Sequence, residues 1–345
     1  MPRPSFPTSI FDFQRQFSTE DACLRFLIQS RWPDGFRCPR CDHTQFYWKS
    51  QRQLLQCKAC GYQASVTAGT VMHRSKVPLT MWFHAAYLVS TITPGISAMQ
   101  LQRQLGSVTY KTAFMMLHKL RAGMVREGRD KLSGAVQVDE TYVGGKKEGP
   151  PGRGALGKAL VAGAAEVRND KVVRIRLKVI PNASALSLTG FVKDNIESGS
   201  TIITDDWSGY SGIAKAGYKH RVDASALVNV HRVFSNLKSW LRGTHHSAVR
   251  AQHLQAYLNE YTFRFNRRKT PMAAFQTALG LGSQRLGPTY EGLASVAKGT
   301  GKWTHPNPSG RGNTKAGAKR KTAKNTRKSS PSLIEDVLDW LMGKG

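Results

Sequence analysis

Four cysteines stand in two pairs, Cys38-x2-Cys41 and Cys57-x2-Cys60, with 15 residues between the pairs. Each pair can form a tight knuckle that presents two thiolates, and two knuckles complete a tetrahedral structural zinc site. Gly61, directly after the second pair, suits the turn such a knuckle needs. Four thiolates leave no open coordination position, so this Zn²⁺ would fold its module and take no part in chemistry. Four buried free cysteines would not need this spacing. The fifth cysteine, Cys23, falls on an apolar helical face and reads as core.

A second kind of chemistry resides in two carboxylates. Asp139 lies inside the run Val136 to Val143, otherwise rich in β-branched residues, and Asp205 ends the apolar run Thr201 to Thr204. An acid in or at the end of a buried strand is costly unless it binds something. Brought together on adjacent strands, the two would repel unless a divalent cation lay between them, an arrangement that suits two-metal phosphoryl transfer. The structural alternative is that Asp205 caps the following turn and Asp139 pairs with a nearby Lys or Arg. Asp206 neighbours Asp205 and can support it or serve instead.

These residues need a scaffold. The chain has 345 residues, 40% of them apolar, enough for two or three domains with a real core. No run of about 18 apolar residues exists and the N-terminus lacks a signal-peptide stretch, so the reading is a cytoplasmic protein with no membrane partner. Lys and Arg outnumber Asp and Glu by 51 to 22, a net charge of +29, which calls for a polyanionic partner, most commonly nucleic acid.

Periodicity outlines a multidomain α+β chain. A helical segment (1–35) with Phe17, Cys23, Phe26 and Leu27 on its apolar face precedes the cysteine module (36–72). A helical region (73–128) follows, with stretches at 78–91, 97–105 and 109–126. Ser97 and Thr109 are candidate helix caps and Gly106 a turn between them. Two short helices with a Gly turn fit a helix-turn-helix DNA reader, as they fit any αα-hairpin; Lys111 and Lys119 are its candidate DNA contacts.

From about residue 132 to 275 the pattern is strands at 135–143, 160–166 and 172–180, a helix at 184–196, a strand at 201–204, a short helix, a strand near 220–222, then helices at 226–242 and 249–265. Residues 302–328 hold nine cationic and no acidic side chains; removing those nine still leaves +20 on the body. The stretch 300–330 reads as a disordered basic tail. A short amphipathic helix is expected at 331–345.

This order of strands and helices is that of the RNase H-like fold, and several motifs resemble the ISXO-like group of bacterial insertion-sequence transposases. They are VDETYVGGK, TDDWSGY, HRVFSNLKSWLRGTHH and HLQAYLNEYTFRFNRR, with TVMHRSKVPLTMWFHAAYLV and YKTAFMMLHKLRAGM ahead of them. The resemblance runs from about residue 18 to 272 and leaves out the tail. It implies an N-terminal zinc ribbon ahead of a catalytic domain of the DDE type that uses Mg²⁺ or Mn²⁺.

Carried over, the first acid falls on Asp139 and the second on Asp205. The third position departs from a plain acidic triad: it aligns with His231, seven residues before Lys238. Neutral imidazole is a competent ligand, so the substitution need not abolish catalysis. Asn236 offers a neutral oxygen, and Glu260 restores a carboxylate but on the next helix. Glu260, Arg264 and Arg267 share one helical face in a spacing the family often shows. They read either as helix support or as phosphate-gripping arginines oriented by Glu260. Lys238 and Arg242 lie on the His231 side of their helix, toward DNA backbone or toward solvent. His245 and His246 read as exposed or capping at a helix end.

The resemblance implies a DNA transposase acting at the bacterial nucleoid. It would bind terminal inverted repeats and target DNA, cleave a phosphodiester with water and transfer the freed 3′-hydroxyl. Joining two ends implies at least a homodimer. The competing readings are a non-catalytic zinc-ribbon and helix-turn-helix regulator, or an RNase H-like nuclease that cuts without joining.

Overall fold

A computed structural model describes residues 7–125, 128–144, 158–246 and 249–279. The expected basic tail (300–330) and terminal helix (331–345) lie outside the described residues. Where the sequence suggested one N-terminal helix there are two, α1 (Ile10–Gln16) and α2 (Glu20–Arg31). Ser9 and Thr19 cap them by accepting the backbone N–H of Asp12 (3.1 Å) and Ala22 (3.2 Å). The break falls just before Thr19, whose hydroxyl offers the backbone a partner in place of the helical carbonyl.

Three short strands follow as an antiparallel meander: β1 (Phe46–Lys49), β2 (Leu54–Cys57) and β3 (Gln63–Ser65). Then come α3 (Leu79–Thr91), α4 (Ala98–Leu105) and α5 (Tyr110–Gly123). Ser97 and Thr109 cap α4 and α5 as expected, and Gly106 turns the chain between them at φ +68°. The Glu20 carboxylate accepts the N–H groups of Leu79 and Thr80 (2.8 and 2.9 Å), so α2 caps α3 from outside.

One buried core runs through all of this, joining Phe17, Phe36, Leu55, Phe83 and Leu117. It also takes in Phe275 from α9 (Pro271–Ala278), a helix the sequence reading did not foresee. The Phe275 ring meets Phe17, Phe26 and Phe83 at 5.5, 6.2 and 5.6 Å between centroids.

The remaining elements build the RNase H-like unit: β4 (Ala135–Val143), β5 (Ala159–Arg168), β6 (Lys171–Ile180), α6 (Ala185–Asn195), β7 (Thr201–Thr204), β8 (Lys219–Val222), α7 (Val228–His245) and α8 (Ala251–Asn266). The sheet order is β6-β5-β4-β7-β8. The first three are antiparallel, and β7 and β8 run parallel to β4. One face packs on α6 through Val136, Val138, Leu188 and Phe191. The other packs on α7 and α8 through Val161, Ile203, Val230, Phe234 and Leu258. Because side chains alternate along a strand, Gln137 and Asp139 face α7 while Glu140 faces α6. The edge strand β6 is closed by α8, where Asn266 and Gln255 accept the N–H of Ile175 (2.8 Å) and Val179 (2.9 Å).

Candidate active site and metal centre

The four cysteines converge. Their Sγ atoms all lie within 4.8 Å of one another, with Cys38 to Cys60 and Cys41 to Cys57 both at 3.6 Å. Ligands about 2.3 Å from a tetrahedral zinc would stand roughly 3.8 Å apart, so the thiols fit that ion. Each knuckle closes with a residue in the left-handed region, Asp42 at φ 59° and Gly61 at φ 67°. Among the described residues this is the one cluster of three or more ligand groups so tightly gathered. Cys23 is kept apart in the core, where burial pushes its thiol up to about 12.

The two acids lie on neighbouring parts of the sheet, Asp139 within β4 and Asp205 directly after β7. β4 and β7 pair in parallel with Gln137 opposite Ile203. The ladder ends there, and Asp205 follows directly after β7, two residues past Ile203. Asp139 is 15% exposed, and burial raises its carboxyl above the usual range; the Asp205 charge adds to the rise. The Glu140 N–H, at 2.7 Å, and His231 work in the opposite direction. Asp205 also accepts the Trp207 N–H (3.2 Å), so the turn-cap role coexists with the juxtaposition. Asp206 is exposed beside it. Glu140 is turned to the other face, where the buried Tyr210 hydroxyl donates to it at 2.6 Å.

His231 reaches Asp139 from α7. Its Nε2 lies 2.9 Å from Asp139 Oδ2, with 56% of its side chain exposed. Two features of the sheet seat the helix. Gln137 Oε1 accepts the N–H groups of Asn229 (3.1 Å) and Val230 (3.0 Å) in the first turn of α7. Gly163, paired directly with Asp139, leaves the space that Phe234 fills; a Cβ there would come within 2.4 Å of that ring. Neither residue was among the candidates. A polar residue two positions before an acid, and a glycine inside a strand, were the available signals. Two carboxylates and an imidazole on rigid elements are donors suited to Mg²⁺ or Mn²⁺.

Lys238 stands on the same side of α7, and the Asp139 charge acts on it, although burial and Lys158 lower its pKa. Arg242 is exposed one turn further along. Asn236, five positions past His231, lies about 140° around the helix from it.

Glu260 and Arg264 make the contacts of the helix-support alternative. Glu260 is 1% exposed and pairs with Arg121 of α5 at 2.7 Å. Arg264 bonds Glu260 at 3.5 Å and donates to the carbonyls of Ile92 and Thr93. Both hold helices together, Glu260 fully buried and Arg264 partly exposed. Arg267 lies over the Phe263 ring at 4.3 Å. Lys119 donates to the His73 carbonyl at 2.9 Å, which ties α5 to the chain after the ribbon, whereas Lys111 is exposed near the start of α5.

Residues 131–266 match the ISXO2-like transposase domain, and residues 18–63 match the transposase zinc-ribbon domain. A relative from Halobacterium salinarum, described as "Uncharacterized protein in transposable element ISH50", is 32% identical over 143 residues. That match covers 40% of this chain and 46% of the relative, so the chain spans about half of that protein's length. Among solved structures, a simian T-cell lymphotropic virus intasome in complex with PP2A regulatory subunit B56 gamma matches at 13% identity and a TM-score of 0.26. It covers 51% of this chain and 66% of the matched chain of that complex. Among the described residues no helix is long and apolar enough to cross a membrane. A match to a transposase zinc ribbon ahead of a match to an ISXO2-like transposase domain makes this chain similar to the ISXO2-like transposases in both parts.

Proposed function

We propose that this chain moves an insertion sequence: it cleaves a phosphodiester at each element end and joins the freed 3′-hydroxyl to target DNA. The observation that supports this reading is the His231 imidazole 2.9 Å from Asp139, whose carboxyl also feels the charge of Asp205 just past the end of the neighbouring parallel strand. In this reading Asp139 and Asp205 are the Mg²⁺ or Mn²⁺ ligands and His231 takes the third position, with Asn236 and Glu260 outside the centre. When bound, the ions supply activation of the attacking oxygen and stabilisation of the leaving one. The chain's own part is to hold the carboxylates and imidazole on two strands and a docked helix, so that little reorganisation is needed at the moment of reaction. Lys238 and Arg242 line the same side of α7 and meet phosphate there.

The division of labour follows the chain. Residues 36–72 fold on Zn²⁺ held by Cys38, Cys41, Cys57 and Cys60. Residues 73–128 present the α4–α5 pair, with Lys111 toward DNA, and residues 132–275 do the chemistry. Two ends must be processed together, so the working form is at least a dimer, acting in the cytoplasm on nucleoid DNA.

The test uses duplexes taken from the DNA that flanks the coding sequence. With Mg²⁺ the parent should nick them and join the product to a plasmid. Asp139→Ala and Asp205→Ala should do neither while retaining DNA affinity. Cleavage by either variant at the parental rate would reject the assignment, and nicking without joining by the parent would mark a nuclease.

A further inference from the structure

We infer that Gln137 is a positioning residue for the carboxylate centre: it sets where His231 stands over Asp139. The inference rests on the reading of Asp139, Asp205 and His231 as the metal-binding group. α7 begins without a side-chain cap of its own, because Leu227 occupies the cap position. The first N–H groups of a helix are orphans that need an acceptor. Here the acceptor comes from the sheet: one oxygen of Gln137 takes the N–H groups of both Asn229 and Val230.

The placement does more than satisfy a helix end. Gln137 is 5% exposed, and a carboxamide buried that deeply is costly unless it is bonded, so its rotamer is held. It stands two residues before Asp139 on the same strand face, about 7 Å away. Its partner Val230 immediately precedes His231. Cap and carboxylate therefore share one strand, and the capped residue and the imidazole share one helical turn. The Phe234 ring in the Gly163 notch sets the height of α7 above the sheet. The Gln137 bonds set its position along its own axis, the coordinate on which the His231–Asp139 distance depends.

The experiment measures Mn²⁺ binding to the full chain by the loss of the free-ion electron paramagnetic resonance signal. Thermal stability is recorded beside it. Gln137→Met keeps the shape but removes the acceptor; Gln137→Glu keeps an acceptor. Val233→Ala, in the buried face of α7, serves as a destabilised control that leaves the cap intact. Residues that orient metal ligands are worth about tenfold or more in affinity. Gln137→Met should weaken Mn²⁺ about tenfold, with Gln137→Glu restoring most of it and Val233→Ala leaving it unchanged. Parental affinity in Gln137→Met, or equal weakening in Val233→Ala, would overturn the positioning role. Parental affinity in Asp139→Ala would instead overturn the reading of the centre itself, and this inference with it.

Discussion

Arg121 on α5 and Glu260 on α8 form a buried ion pair at 2.7 Å although 139 positions separate them in the chain. The pair fastens the helix-turn-helix-like segment to the RNase H-like unit, and Arg264 extends it to the C-terminal end of α3. Removing one partner of such a pair leaves an uncompensated buried charge, which costs about 3–5 kcal/mol. Glu260→Ala should therefore lower unfolding free energy by that amount in urea titrations. Replacing Arg121 by Met and Glu260 by Leu together should recover most of the loss, since an apolar substitute avoids desolvating two charges. A Glu260→Ala protein as stable as the parent yet unable to cut DNA would return Glu260 to the catalytic group.

His231 carries a different expectation. His231→Ala should cut DNA at least about 100-fold more slowly in single turnovers, because the centre loses a ligand while its scaffold stays. His231→Glu should retain measurable cleavage, since a carboxylate is an equally suitable donor for a hard divalent ion. Normal cleavage by His231→Ala would remove the imidazole from the reaction.

The thiol cluster is tested by metal analysis. Freshly purified protein should hold about one tightly bound zinc per chain, and Cys57→Ser should lose it. Because the ribbon shares one core with α3, α4 and α5, hydrogen exchange should rise through those helices as well, while β4 and β5 stay protected. A zinc-free preparation with a folded ribbon would contradict this.

Acid should unfold the helical junction. His118 packs against Phe114, His253 and Tyr257, and burial, helped by the Arg121 charge, pushes its pKa down to about 2. Burial, with Arg121 adding, lowers His245 to about 4, so this helix-end histidine is packed and not the exposed group its position suggested. In the unfolded chain both titrate near 6.5. The unfolded state therefore binds more protons below that value. The stability of neutral, buried histidines is complete above about pH 6.5 and is lost as pH falls toward the folded-state values. Each contributes up to about 1.4 kcal/mol per pH unit in that window. His118→Leu should flatten the decline by about that slope in denaturant titrations run from about pH 7 to about pH 4.5. An unchanged slope would show that His118 does not titrate with unfolding.

The local chemistry of this chain was legible without coordinates. Cys38 to Cys60 announce their site by spacing alone, because both knuckles are local turns. The strand Ala135–Val143 and the cap at Ser184 follow from side-chain periodicity and from hydroxyls that satisfy helix N–H groups. Asp139 and Asp205 stood out because an acid in an apolar strand is expensive wherever it sits. What periodicity could not show was which of several competent groups would meet them. His231, Asn236 and Glu260 look alike as candidates along the chain. The choice falls to packing: Gln137 and the Gly163 notch seat α7 with His231 over Asp139, while Glu260 is drawn into the Arg121 pair on another helix. Likewise α9 was invisible, since eight residues carry little pattern and Phe275 has meaning only inside a core assembled from the other end of the chain. Spacing along a sequence determines local turns and faces; contacts between distant segments depend on how whole elements dock, and that is decided only by the fold.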